Sequence, residues 1–468
     1  MTTEKMNIFT RYYFIGIGGI GMSAIARYFH VKGFSVAGYD RAETKLTQNL
    51  VAEGIALTYN EAESAIPNKF LDTDKTLVIV TPAIPSDHPQ VVYFRQHGFK
   101  VLKRSEMLGE ITRRSKAICI AGTHGKTTTS TITAHLLYQS QVGCSAFLGG
   151  ISNNYNTNLL LSNESNFVVV EADEYDRSFH RLTPYMAVIT SSDPDHLDIY
   201  GTEEAFYESF EHFTSLITQG GTLIINKKVN ITPRLQKGVK LFTYGLTNDA
   251  DFYAKNIRLK NAAITFDFVT PTETLHDVKL GVPVMINVEN SVAAMALAWL
   301  SGAAPEEIRA GISTYSGIHR RFNTVYKSDK VVLMDDYAHH PSELKASISS
   351  IRQLYPDKKI TGIFQPHLYT RTRDFAPEFA EALSALDELI LLDIYPAREL
   401  PIEGVTSEII LKDVALNDKI STSKENLLTI LKDKKLEVLV TFGAGDIDKL
   451  VPEIKDFLKT KYLRTAIS

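Results

Sequence analysis

"AICIAGTHGKTTTSTITAHLL", residues 117 to 137, decides the fold. A short apolar run comes first, a turn with two glycines follows, and the threonine-rich remainder reads as a helix. Strand, glycine turn and helix together make a cradle for phosphate, because backbone N–H groups at the turn and at the helix N-terminus point at the anion. The common phosphate loop is G-x-x-x-x-G-K-[ST]. Here the string is G-x-x-G-K-T, and Ile120 stands where the longer pattern has its first glycine. Lys126 is placed to pair with terminal phosphates and the Thr127 hydroxyl to reach a magnesium ion. Gly122, Thr123, His124, Gly125 and Thr128 complete the nucleotide-binding loop. A G-K-T string also occurs in plain surface turns; the strand before it and the helix after it favour the phosphate reading.

Working outward, "NFVVVEADEYD" and "YMAVITSSDPDHLDIY" are β-branched apolar runs that end in acidic residues or histidine. Ligands of open α/β sheets bind at the carboxyl ends of strands, so Glu171 and His196 are candidate site residues. Magnesium prefers oxygen ligands, and each residue taken singly also fits a satisfied polar group at a strand end. Upstream, "YYFIGIGGIGMSAIARYFHVKGFSVAGYD" reads as strand, glycine turn, helix and strand. Its "GIGGIG" (16–21) matches G-x-G-x-x-G, with Asp40 about 20 residues past the turn. Alone it indicates a dinucleotide such as NAD; beside an ATP loop it suits another diphosphate, or a turn that only packs helix on strand. "TLVIVTPAI" (76–84) and "GFKVLKRSEML" (98–108) add strand-like runs, and "TRRSK" (112–116) is a polar break. Downstream, "NSVAAMALAWLSG" reads as a helix ended by glycine. The lone Trp299 and the methionines read as core.

The last third carries strand-like runs ending in "DDYAHHP" (335–341) and "FQPHLYTRTRD" (364–374). Adjacent His339 and His340 in a strand would point to opposite faces, so a shared metal ion is disfavoured. Arg371 and Arg373 suit bidentate recognition of a carboxylate or phosphate, or else are solvated, and "HRRF" (319–322) has the same two readings.

Bulk properties agree with this division. The chain has 468 residues, 44% hydrophobic and 22% charged, with net charge −4. That length suggests roughly three domains of ~150 residues. The charge balance leaves no footprint for nucleic acid or a membrane surface. Cys119 and Cys144 are the only cysteines, too few for a disulfide framework, and a reducing compartment fits. The N-terminal stretch lacks an apolar core followed by a small-residue cleavage site, and no run approaches the ~18 apolar residues of a membrane helix. The expectation is a cytoplasmic chain without membrane insertion. No internal repeat is evident.

Taken together, "GIGGIGMS", "GTHGKTTT", "EADEYD", "DPDHLDIY", "RRF", "DDYAHHP" and "FQPH" occur in the order found in the Mur ligases, which build the peptide of bacterial cell-wall precursors. The chain resembles that family along essentially its whole length, and the shortened phosphate loop is the family's own form. The resemblance implies an α/β enzyme of three domains. These are an N-terminal Rossmann-like domain (1–112) that binds a UDP-sugar, a central P-loop ATPase-like domain (113–318), and a C-terminal Rossmann-like domain (319–468) that binds the amino acid and closes over the site. It implies ATP-dependent joining of L-alanine to the lactyl carboxylate of UDP-N-acetylmuramate through an acyl phosphate, by a monomer or weak homodimer. Gly18, Gly19, Gly21 and Asp40 would meet the UDP part. Lys126 would hold phosphates, and Thr127, Glu171 and His196 would bind magnesium. Asn290 resembles the adenine contact and Arg321 the arginine near the nucleotide. Asp336 and His339 would help hold ATP, and Tyr337, His367 and Arg371 would line the amino-acid pocket. Three residues depart from the family pattern: Leu368 stands where arginine is frequent, Ile286 where histidine is frequent, and Tyr175 where serine is usual. No lysine follows His196 before Lys227, so a carboxylated lysine is not expected, and Glu208 or Glu211 is the candidate for that negative charge. Alternatives are a ligase that recycles a preformed tripeptide onto the same sugar nucleotide, an NAD-dependent oxidoreductase built on "GIGGIG", and a non-catalytic ATP switch.

Overall fold

The computed structural model describes residues 9–194, 197–397 and 399–463. The strands among them form three sheets. The first contains β1 (Arg11–Ile15), β2 (Ser35–Tyr39), β3 (Ala56–Thr58), β4 (Thr76–Val80) and β5 (Lys100–Lys103). All are parallel, in the order β3-β2-β1-β4-β5. The order reverses at β1, and a crevice opens there at the carboxyl ends of the strands. "GIGGIG" begins directly after β1. The run 98–108 is not one strand: β5 ends at Lys103, and a helix spans Arg104–Thr112.

The second sheet contains β6 (Lys116–Ala121), β7 (Ser145–Phe147), β8 (Leu159–Leu160), β9 (Phe167–Glu171) and β10 (Pro184–Ile189). It continues with β11 (Thr222–Asn226), β12 (Lys240–Gly245), β13 (Phe252–Lys260), β14 (Ala263–Val269) and β15 (Thr274–Lys279). Its order is β15-β14-β13-β12-β11-β10-β6-β9-β7-β8. β6 lies between β9 and β10 and is parallel to both. A strand covered on both faces needs an unbroken apolar run rather than an alternating one. Ala117 to Ala121 meet that requirement and are fully buried. The phosphate loop thus leaves the sheet at its switch point, and the helix Lys126–Gln139 follows.

The third sheet contains β16 (Asn323–Lys327), β17 (Val332–Asp336), β18 (Ile360–Phe364), β19 (Glu388–Leu392), β20 (Lys419–Thr422) and β21 (Val438–Phe442). Its order is β16-β17-β21-β18-β19-β20, parallel except for the antiparallel β16–β17 edge.

The chain divides into two compact units. One comprises the described residues up to 257 with 265–281 and 286–316; the other comprises 258–264, 282–285 and 317 onward. The first sheet and the body of the second share the first unit and a common core that runs from Tyr12 and Phe14 to Ala117 and Val170. Burying each such Ile, Val or Phe contributes about 1.5–3 kcal/mol. Within that unit the buried Arg27 donates to Glu53 at 2.6 and 2.7 Å and to Asn158 at 2.5 Å, while Asn158 donates to Ile20 O at 2.6 Å. Trp299 departs from the core expectation. It is half-buried, packs on Phe252 and donates its indole N–H to Glu273 at 3.0 Å. Cys119 and Cys144 are buried and free, and burial pushes both thiols up, so neither is poised for thiolate chemistry. Among the described residues no helix is long and apolar enough to cross a membrane.

Candidate active site

The phosphate loop is built by two glycines with left-handed backbone. Gly125, with φ +81°, ends the turn as N-cap of the helix, and a Cβ there would lie 2.6 Å from Asn290 Oδ1. Gly122, with φ +132°, sits against the segment that follows β10's carboxyl end, and a Cβ there would lie 2.1 Å from Thr190 Oγ1. The Thr190 hydroxyl donates to Ala121 O and His124 O. Ser191 Oγ accepts from His124 N at 2.8 Å, and the Thr123 hydroxyl donates to Asp193 O at 2.7 Å. The loop is therefore held by side chains from the neighbouring strand end. Lys126 opens the helix, Thr127 is buried behind it, and Thr128 is half-buried.

Glu171 ends β9, the strand beside the loop's own strand. Its Oε2 is buried and, among the described residues, has no hydrogen-bond partner. The carboxylate lies against Gly149, where a Cβ would be 2.0 Å from Oε2. A buried, unpartnered carboxylate oxygen needs a cation or a donor, so Glu171 fits a hard divalent ion such as magnesium. His196 lies outside the described residues. Among the described residues no group of three or more His, Cys, Asp or Glu could by itself hold a metal ion.

Glu171 also lines a cleft of about 260 Å³ with Gly19, Gly21, Thr81, Arg104 and Asp173. The cleft begins at the glycine turn of the first sheet. Asp40, just past β2, accepts from Gly18 N at 2.7 Å and so spends part of its carboxylate fixing that turn. Arg104 opens its helix beside Gly21 and pairs with Asp173 at 3.1 Å. This cationic group was missed from sequence. A second cleft, of about 240 Å³, lies beside the phosphate loop. His124, Asn226, Tyr244, Ile286, Glu289 and Asn290 line it. Asn290 is buried and donates to Asn287 at 3.4 Å, and Ile286 is 56% exposed, an apolar face suited to a nucleobase.

Glu174, three residues past Glu171, is the second residue missed. Its carboxylate is buried against Lys126, 2.9 Å from Oε1 to Nζ. Burial raises its pKa, with Lys126 acting in the opposite direction. Glu211, a candidate for extra negative charge, instead holds Arg234 at 2.7 Å and Thr232 N at 3.1 Å, and Glu208 is exposed. The carboxylate next to the loop lysine is Glu174.

In the second unit, the carboxyl ends of β17 and β18 gather the remaining candidates. Asp336 ends β17 and accepts from the Ser347 hydroxyl at 2.5 Å and from Ala338 N at 3.3 Å; burial raises its pKa. His339 and His340 lie past the strand rather than in it, and still point apart. The ring of His339 approaches Tyr337 and His367, and that of His340 packs on Phe375. His339 Nδ1 lies 3.2 Å from Glu343 Oε2, and burial lowers its pKa, so the neutral ring is favoured. His367 stacks on Tyr395 and lies 3.4 Å from Arg371. Tyr337, His339, His367 and Arg371 are thus brought together. Arg373 faces away, exposed and paired with Asp374. Arg321 is exposed, its guanidinium 6.0 Å from the Tyr337 ring. Arg320 instead donates to Gly443 O at 2.6 Å and Gly445 O at 3.1 Å, tying the ends of β17 and β21 together. Leu368 adopts φ +71°, a backbone conformation costly for a branched residue.

Asp335, the neighbour of Asp336, is buried, and burial raises its pKa from 3.8 to about 6, against the Thr441 hydroxyl bond and Arg320. Below pH 3.8 the carboxyl is neutral in both folded and unfolded chains. Between 3.8 and about 6 the folded chain keeps the proton and the unfolded chain releases it, so the stability of the neutral form is lost as pH rises through that window. Asp335→Asn should therefore gain stability relative to the parent on going from pH 4 to pH 7, as read by denaturant midpoints. A constant difference across that range would refute the assignment.

The chain belongs to the Mur ligase family. It matches the model of the Mur ligase family catalytic domain over residues 11–116, that of the Mur ligase middle domain over 120–298 and that of the Mur ligase glutamate ligase domain over 320–445. A curated relative, a UDP-N-acetylmuramate–L-alanine ligase of Parabacteroides distasonis, is 58% identical over 453 residues, covering 97% of this chain and 98% of the relative. The crystal structure of a UDP-N-acetylmuramate–alanine ligase from Thermotoga maritima superimposes with a TM-score of 0.82 at 26% identity, covering 96% of this chain and 99% of that one. A murein peptide ligase from Psychrobacter arcticus shares the fold at a TM-score of 0.67 and 19% identity, covering 97% and 98%. The three-domain α/β architecture expected from the motifs is that of the family.

Proposed function

We propose that this chain joins L-alanine to the lactyl carboxylate of UDP-N-acetylmuramate at the expense of ATP, a step in making the peptidoglycan precursor. The observation that carries the reading is its end-to-end identity with alanine-adding ligases. The local geometry supports it: a phosphate loop at the switch point of the second sheet, and an unpartnered carboxylate at the next strand end. We take the boundaries 112/113 and 318/319 as those of the UDP-sugar, ATP and amino-acid domains, and the chain as a cytoplasmic monomer or weak homodimer.

A carboxylate is a poor acyl donor, and ATP supplies the phosphoryl group that makes it a good one. Thr127, Glu171 and His196 would hold magnesium, which when bound would supply positive charge against the phosphoryl oxygens. Lys126 adds a second positive charge there, and the N–H groups at the helix N-terminus, from Lys126 to Thr128, orient the phosphates. The cleft beside Asn290 takes the base. Gly18, Gly19, Gly21 and Asp40 hold the sugar nucleotide, whose acidic end lies toward Arg104 and Glu171. In the second unit Arg321, Asp336 and His339 hold nucleotide, and Tyr337, His367 and Arg371 receive the amino acid, Arg371 through its carboxylate.

Two experiments test this. With ¹⁸O in the lactyl carboxylate, one label should appear in the released phosphate, because the bond from carbon to that oxygen breaks on amine attack; unlabelled phosphate would exclude the acyl phosphate. Arg371→Ala should raise KM for L-alanine by about 10- to 100-fold with a smaller change in KM for ATP, the loss expected for one charge-assisted contact. An unchanged KM for L-alanine would remove Arg371 from the pocket.

A further inference from the structure

Lys126 has three N–H donors. Two go to its own loop, to Gly122 O at 2.6 Å and Thr123 O at 3.2 Å. The third faces Glu174, with Nζ 2.9 Å from Oε1 and 2.8 Å from Oε2. The pair is well removed from solvent, with side chains 13% and 3% exposed. The two carbonyls cannot leave Lys126 without unwinding a turn in which Gly122 already sits against Thr190 and Ser191. Among the described residues Glu174 is otherwise held through its own backbone, where its carbonyl accepts from the Tyr200 hydroxyl at 2.6 Å and from Arg177 N at 2.9 Å. Its side chain is the one partner of Lys126 that can exchange.

A carboxylate and a terminal phosphoryl group are the same kind of acceptor: anionic, with two or more oxygens for an ammonium. We propose that Glu174 is a positioning residue that competes with the terminal phosphoryl group of ATP for Lys126, and so sets the loop's preference for triphosphate over diphosphate. The inference rests on reading residues 122–128 as an ATP loop. Releasing Glu174 leaves a buried carboxylate without its cation, which is costly. A ligand must bring enough charge to Lys126 to offset that cost. A triphosphate does so; a diphosphate, one phosphoryl shorter, leaves the Lys126–Glu174 pair in place.

The test is calorimetric binding of MgATP and MgADP to the full chain and to Glu174→Gln, whose neutral amide is released more readily. The Kd for ATP should fall about tenfold while that for ADP stays within about twofold. In a Lys126→Met background the same substitution should leave the Kd for ATP unchanged, which a merely structural role would not predict. Glu174→Asp keeps the charge but reaches less far, and should shift ATP in the same direction if Glu174→Gln does not fold. Equal shifts for both nucleotides, or weaker ATP binding in Glu174→Gln, would overturn the inference. If the parent binds MgATP and Glu174→Gln binds it identically, the inference alone falls. If the parent binds no MgATP, the loop reading falls with it.

Discussion

Lys126→Met is expected to lower kcat for phosphate release by about 10²- to 10³-fold, the usual cost of removing one preorganised charge from a transition state. Lys126 is the single cationic side chain in the loop, and it opens the helix with its ammonium held on the loop carbonyl of Gly122. The same substitution has a second, separable effect. It strips the buried Glu174 of its partner, and an unpaired buried charge costs about 3–5 kcal/mol unless the group takes up a proton. Lys126→Met alone should therefore be both inactive and less stable. Adding Glu174→Gln should restore much of the stability and none of the activity, because the two residues couple directly. A double variant as unstable as Lys126→Met would show that the ion pair is not what the lysine contributes to the fold. Near-parental kcat in either variant would remove Lys126 from catalysis.

Gly122→Ala is expected to be nearly as damaging by a purely steric route. The added methyl group would lie 2.1 Å from Thr190 Oγ1, 2.8 Å from Ser191 N and 3.0 Å from Thr190 N, and two of those three atoms are backbone. The strain of φ +132° adds to the overlap. Together they should cost about 3 kcal/mol. The thermal shift on adding MgATP should vanish, because the N–H groups no longer converge. Gly201→Ala is the control. It has φ +83° with nothing among the described residues within 4 Å of the added carbon, so only backbone strain of about 1 kcal/mol is expected, and the MgATP shift should persist. Equal losses in the two variants would mean that loop geometry is not special.

These variants also mark where sequence reading succeeds and where it stops. The loop, Glu171 and the GIGGIG turn were legible because each is a local string: a glycine at a fixed offset, a lysine after it, an acid ending an apolar run. The quoted runs placed β1, β4, β6, β9, β10, β17 and β18, whereas β7, β8 and β11 to β15 of the second sheet carry no quoted run. Glu174 was not legible, although it stands in the quoted string "EADEYD". Its approach to Lys126 depends on a tight turn in which Asp176 and Arg177 take φ +51° and +52°, and no side-chain pattern announces such a turn. Arg104 was hidden because 98–108 reads as one apolar run, while the strand ends at Lys103 and the helix starts at Arg104, turning that side chain into the cleft. Gly149 was overlooked for another reason. Its role is to be absent, leaving room for the Glu171 carboxylate, and the contact joins residues far apart in the chain. In the second unit, the grouping of Tyr337, His367 and Arg371 came from motif resemblance, and His339, expected with the nucleotide, lies beside them. The part of Arg320 in tying two strand ends together depends on where β21 inserts between β17 and β18, which is a property of topology.

The most direct test is phosphate release with MgATP and UDP-N-acetylmuramate, with L-alanine, glycine, L-serine or the preformed tripeptide supplied in parallel. Release that needs the sugar nucleotide and is fastest with L-alanine is the result expected here. Release only with the tripeptide, or none with any amino acid despite MgATP binding, would contradict the assignment.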